Sequence, residues 1–140
     1  MFRKFLGAAL VVAAFVAGTL TVGQASTPIT AMSVGAAPVR VYDSRTDHPG
    51  PLVANELINP VVALASDEVV AVNVTVLNPA AAGYVKVWGY GPSGTFSSIN
   101  FAAGQTVANL AIVAVGDLGS ISVWTSAQAH IIVDVQAVWA

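Results

Sequence analysis

Apolar and polar residues alternate along this chain in short runs, separated by clusters of Gly, Pro, Asn, Asp and Ser. The longest β-branched run is residues 69–78, VVAVNVTVLN. A period of two puts Val70, Val72, Val74 and Val76 on one face and Val69, Ala71, Asn73, Thr75 and Leu77 on the other. With apolar residues on both faces, the run reads as a central strand buried between two layers. Asn78-Pro79 ends it, because proline has no N–H for the ladder. Residues 106–115, TVANLAIVAV, are apolar on both faces too, which predicts a second middle strand. Residues 84–90, YVKVWGY, alternate cleanly, with Tyr84, Lys86, Trp88 and Tyr90 opposite Val85 and Val87.

Shorter runs fill in the rest. Val39 and Val41 alternate with Arg40 and Tyr42 in a first strand. Asp43-Ser44 begins a turn, and His48-Pro49-Gly50-Pro51 marks a loop. Residues 52–59 fit no single element. Residues 61–65, VVALA, suggest a short buried strand or a turn of chain. Residues 97–101 form a short strand. Residues 116–119, GDLG, suggest a hairpin turn, after which Ile121 and Val123 point inward. Residues 130–139, HIIVDVQAVW, close the domain. About eight short strands, turns every eight to twelve residues and no amphipathic helix after the N-terminal segment predict an all-β fold. The expected architecture is an antiparallel β-sandwich, jelly-roll-like, over residues 38–140 and following an N-terminal apolar helix.

That N-terminal segment, residues 1–25, has the layout of a signal peptide. Arg3 and Lys4 precede an uncharged apolar run over residues 5–20, and Gly23-Gln24-Ala25 offers a cleavage site. A retained membrane anchor is the other reading, although the run is barely long enough to span a bilayer. Residues 26–37, STPITAMSVGAA, read as a linker or arm. Export implies an extracellular or cell-surface location, with membrane attachment only through residues 1–25 if they are uncleaved.

Composition narrows the function classes. Of 140 residues, 56% are hydrophobic and only 9% charged, with a net charge of −2. Nucleic-acid binding wants a basic patch, and none is expected here. Cysteine is absent, which excludes disulfides and thiolate metal sites. Without residues 1–25, three basic residues (Arg40, Arg45 and Lys86) stand against seven carboxylates.

A series of motifs then appears in order. Pro38, Arg40, Asp43, Ser44 and Arg45 fit P-x-R-x-x-D-[ST]-R. Asn73-Val74-Thr75 follow, with Val72 where leucine is usual. Asn78-Pro79-Ala80 with Gly83-Tyr84, Asn100-Phe101 with residues 104–110 (GQTVANL), and residues 130–135 (HIIVDV) complete the set. This series, over residues 38–139, resembles a module of secreted actinobacterial proteins that often occurs in tandem copies or appended to hydrolases and other wall-associated enzymes. The resemblance implies an extracellular accessory domain with no transferable active site. Related domains are also expected in virion proteins of phages infecting such hosts. Here one copy follows the leader.

Candidate chemistry is sparse. Asp134 interrupts an apolar strand, and a carboxylate there wants a cation. Arg40 and Arg45 are the arginines outside the leader, so an Arg–carboxylate lock between first and last strands is expected, with an anion or sugar site as the functional alternative. Asn73, Asn100 and Asn109 lie inside strands, where asparagine is depleted. Together with Arg40, Asp43, Arg45 and Asp134 they are expected to form a structural polar network, or else to read carbohydrate hydroxyls. Asn73-Val74-Thr75 also fits the N-glycosylation pattern, which a central strand disfavours. Tyr84, Lys86, Trp88 and Tyr90 share a strand face on which rings could stack on sugars or on a partner, with Trp88 the preferred contact. Trp124 and Trp139 are placed elsewhere.

His48 and His130 lack metal-ligand spacing. Ser44, His48 and Asp47 make a triad on paper without a nucleophile elbow. Asp43, Asp47 and Glu56 lack the twelve-residue calcium loop. No catalytic residue, metal or cofactor is therefore expected. The sequence reads as a non-catalytic, exported binding module for a cell-wall glycan or surface protein. The alternative is a self-assembling structural protein, such as a virion decoration or fibre subunit, with a homo-oligomer in view.

Overall fold

The structure, a computed structural model, describes residues 32–33, 37–63 and 68–139. The expected leader over residues 1–25 and most of segment 26–37 lie outside these residues. The described fold is antiparallel β throughout, as the alternation predicts. In chain order its strands are β1 (Met32–Ser33), β2 (Val39–Asp43), β3 (Leu57–Ile58), β4 (Val69–Leu77), β5 (Gly83–Gly89), β6 (Ile99–Phe101), β7 (Val107–Ala114), β8 (Ile121–Thr125) and β9 (His130–Trp139). One four-residue helix, α1 (Ser44–Asp47), follows β2 where the sequence suggested a turn.

The strands form two sheets. In the first, β9 lies between β4 and the pair β1 and β2, and β7 follows β4 at the other side. The second runs β3-β8-β5-β6. Inward residues of both sheets meet in one core. Val70, Val72, Val74, Val76, Ile131 and Val133 come from the first sheet, and Val85, Val87, Ile99, Phe101, Ile121 and Val123 from the second. Leu52, left unassigned from sequence, is fully buried and bridges Ala129. Val61 and Val62, expected inside a buried run, divide: Val61 is exposed on a bridge to Ser120, and Val62 is buried. Within the expected linker, Met32–Ser33 instead adds a short strand to β9.

Three expectations need correction. β4 is central, but only its inward face is wholly buried. Val69, Asn73, Thr75 and Leu77 are half-buried on the outer face, where Ala71 alone is buried. β7 is not a middle strand; it pairs with β4 alone and forms the sheet edge. The turn after β7 is not a hairpin, because β7 and β8 belong to different sheets. It is a 3₁₀ turn, Asp117–Gly119, with Leu118 at φ 61° and Gly119 at φ 71°. Gly119 has no room for a side chain, since a Cβ would meet the Ala63 carbonyl.

Two bulges shape the sheet. Between β4 and β9 the register shifts at Ala71/Val72, which leaves Gln136 unopposed. Between β2 and β9 it shifts at Arg40/Tyr42, which leaves Val41 unopposed. Such extra residues bend a strand and strengthen its twist.

Candidate functional site

The polar chemistry gathers in two places. The first is the junction of β2, α1 and β9. Asp43 is the N-cap of α1 and accepts from the Arg45 backbone N–H at 3.1 Å. Capping in this way satisfies a helix N–H that has no partner within the helix. In return the Asp47 carboxylate accepts from the Asp43 N–H at 2.8 Å. The Arg45 guanidinium grips the same Asp43 carboxylate at 2.9 and 2.7 Å, and Arg40 adds a contact at 3.3 Å. Hydrogen bonds from Arg45 outweigh burial and hold the Asp43 carboxyl at about 2, below its ordinary 3.8.

Arg40 also forks onto Asp134, with Nε to Oδ1 at 2.9 Å and Nη2 to Oδ2 at 3.3 Å. This joins the β2 and β9 strands where Arg40 and Asp134 pair in register. It is not the buried pair that the apolar neighbours of Asp134 suggested. Asp134 faces outward, and the side chains of Arg40 and Asp134 are 50% and 17% exposed. The alternation of β9 puts Val133 and Val135 on the core side instead.

The three asparagines do not share this cluster. Asn73 stands opposite Asp134 in the ladder. Asn100 lies on β6 in the other sheet, opposite Tyr84. Asn109, on β7, donates to the Ser98 carbonyl at 2.8 Å and accepts from the Leu110 N–H at 3.0 Å.

The paper triad does not assemble. Ser44 is fully buried; its hydroxyl accepts from the Ile131 N–H and pairs with His130 Nδ1 at 3.0 Å. His48 sits between the Gly50 carbonyl and the Glu56 carboxylate. Asp47 is held by the Asp43 N–H and the Thr46 hydroxyl. The carboxylate oxygens of Asp43, Asp47 and Glu56 each already carry a hydrogen bond from this chain. Among the described residues no group of three potential ligands could hold a metal ion.

The second place is the outer face of the second sheet. β5 turns Val85 and Val87 into the core, which leaves Tyr84, Lys86 and Trp88 outward. The register of β5 with β8 sets Lys86 opposite Trp124. Trp124 therefore belongs to this face and not elsewhere. Its ring centroid lies 5.5 Å from that of Tyr84, tilted by 49°, and the Lys86 ammonium sits 5.3 Å from it. An ammonium over an indole is attracted by the ring quadrupole. Beside this group Tyr84, Lys86, Thr95, Phe96, Ser97 and Asn100 line a shallow cavity of about 430 Å³.

Trp88 and Tyr90 depart from the expected row. The Trp88 indole N–H donates to the Gly91 carbonyl at 2.9 Å, which folds the ring against its own turn. Tyr90 lies beyond the end of β5 and lines a second, larger groove with Trp88, Phe96, Leu110 and Ile112.

No family model, curated protein or solved structure matches the chain. The outer face could have been completed from sequence in part. With Ile121 and Val123 inward, Trp124 must point outward. Which neighbour it meets depends on the β5–β8 register, and strand periodicity does not carry that information.

Proposed function

We propose that this chain is a non-catalytic, exported module that binds a cell-surface or wall glycan on the outer face of its second sheet. The observation that carries this reading is the grouping of Tyr84, Trp124 and Lys86 beside the cavity that Asn100 lines. Flat ring faces suit the apolar face of a sugar, while an ammonium and an amide suit its hydroxyl and carboxylate groups. The polar cluster around Asp43 supports a structural role, since its arginines and carboxylates are spent on one another. The motif series that resembles secreted actinobacterial modules supports the same compartment.

The test is a titration of the protein with solubilised wall polysaccharide, followed by tryptophan fluorescence. Saturable binding is expected, and Trp124→Ala should weaken it by about tenfold or more, the worth of one buried aromatic contact. Binding that is absent, or indifferent to Trp124→Ala and Tyr84→Ala, rejects the reading. A structural, self-assembling subunit is the second reading. The exposed edge of the first sheet favours it.

A further inference from the structure

Sheet edges invite unwanted pairing, and proteins blunt them with short strands, charges, proline or bulges. Three of the edges described here follow that rule. β3 has two residues and β6 three. The β2 side of the first sheet carries Arg40 and a bulge, preceded by Pro38. β7 does not follow it. Its eight residues, VANLAIVA, contain no charge and no proline, and its register with β4 is unbroken.

The direction of its backbone groups can be read from two hydrogen bonds. The Val115 N–H reaches the Glu68 carbonyl on the β4 side. The Leu110 N–H points away from β4 and is met only by the side chain of its neighbour Asn109. Alternate residues of a strand address the same side. Residues 108, 110 and 112 therefore direct N–H and C=O outward from the sheet. The side chains of Leu110 and Ile112 are 52% and 64% exposed on the outer face. An open groove of about 730 Å³ lies between β7 and the turn after β5, and the edge is covered only at its end, where Gly89 lies against the Ala114 carbonyl.

We propose that β7 is the interface of a two-fold homodimer, its strand pairing antiparallel with β7 of a second copy so that the first sheet runs through both molecules. Two observations select a second copy over another partner. The first is charge. Residues 88–116 carry no charged side chain in a chain of net charge −2. Across a two-fold axis each surface meets itself, so any charge there would approach its like. The second is self-complementarity. With the axis at Ala111, Leu110 of each copy lies opposite Ile112 of the other. The outward N–H and C=O groups of residues 110 and 112 then match in pairs, and four exposed aliphatic side chains gather into one cluster. Asn109 releases the Leu110 N–H, which passes to the backbone of the second copy.

The chain has no cysteine, so a single one reports the interface cleanly. In the proposed register the two Ala111 residues face each other across the axis, within disulfide range. Leu118, 88% exposed on the turn after β7 and seven residues from the axis, serves as control. The full chain is expected to sediment at twice its 14.2 kDa mass. With a mild oxidant, Ala111→Cys should cross-link about tenfold or more faster than Leu118→Cys, because pairing raises the local thiol concentration. Ile112→Lys, a surface change, should keep its melting transition and sediment as a monomer.

A wild-type monomer at roughly 100 µM, far above any useful dissociation constant, overturns the proposal. So does Ala111→Cys cross-linking no faster than the control, which would place any association on another surface, residues 1–25 included. A dimer that survives Ile112→Lys overturns it as well. A monomer that takes extended peptides along β7 would assign the edge to a different partner and equally reject the second copy.

Discussion

Asp43 shows how much one carboxylate can organise. It caps α1, receives two guanidinium groups and is almost wholly buried. Its folded pKa of about 2 lies below the ordinary 3.8. A depressed carboxyl stabilises the fold above its unfolded pKa, and the contribution is lost as pH falls from about 4 toward 2. Asp43→Asn keeps the shape but not the charge. The variant should melt below the wild type at neutral pH, by an amount that shrinks as thermal melts are repeated from pH 5 down to pH 2. A gap constant across that range would mean that the arginine contacts contribute nothing. The Asp-x-Arg spacing was visible in the sequence. The additional grip from Arg40 was not, because it depends on the bulge that turns β2.

Among elements, β2 and β9 illustrate how exposure changes a magnitude. The Arg40–Asp134 fork joins these strands, but in solvent such pairs contribute only about 0–1 kcal/mol. Asp134→Ala should therefore lower the melting temperature by only a few degrees in a calorimetric scan. A drop of about 15 °C or more would correspond to roughly 3 kcal/mol, the cost of breaking a buried pair. The alternation that revealed β4, β5 and β9 was legible because each buries one face. β7 was misplaced for the same reason. Leu110 and Ile112 read as the second buried face of a middle strand, yet periodicity reports which side a residue takes and not whether a further layer covers it. The turn at Leu118 hid a change of sheet, because GDLG suits a hairpin and a crossover equally well.

At the scale of the molecule, two surfaces divide the proposed work. The aromatic face belongs to the second sheet and the bare edge to the first, and they share only the region around Phe96. If both proposals hold, one dimer presents two glycan faces. Ile112→Lys should then leave affinity for a short oligosaccharide unchanged and weaken retention on polymeric wall material by about a hundredfold, as bivalence is lost. Equal retention of wild type and variant on the polymer would separate the two surfaces functionally.

The order of the strands also governs when the fold can form. β9 is late in the chain, yet it pairs with β1, β2 and β4, and its core residues Ile131 and Val133 complete the first sheet. Nearly every neighbouring strand is far away in sequence, so local hairpins contribute little and loop-closure entropy must be overcome before the pairings reward it. Folding in milliseconds to seconds is typical of such topologies. While the chain emerges from the ribosome, β4 can meet β7 some thirty to forty-five positions downstream, but β9 only some sixty positions downstream. The first sheet is therefore completed only when almost all of the chain has been synthesised.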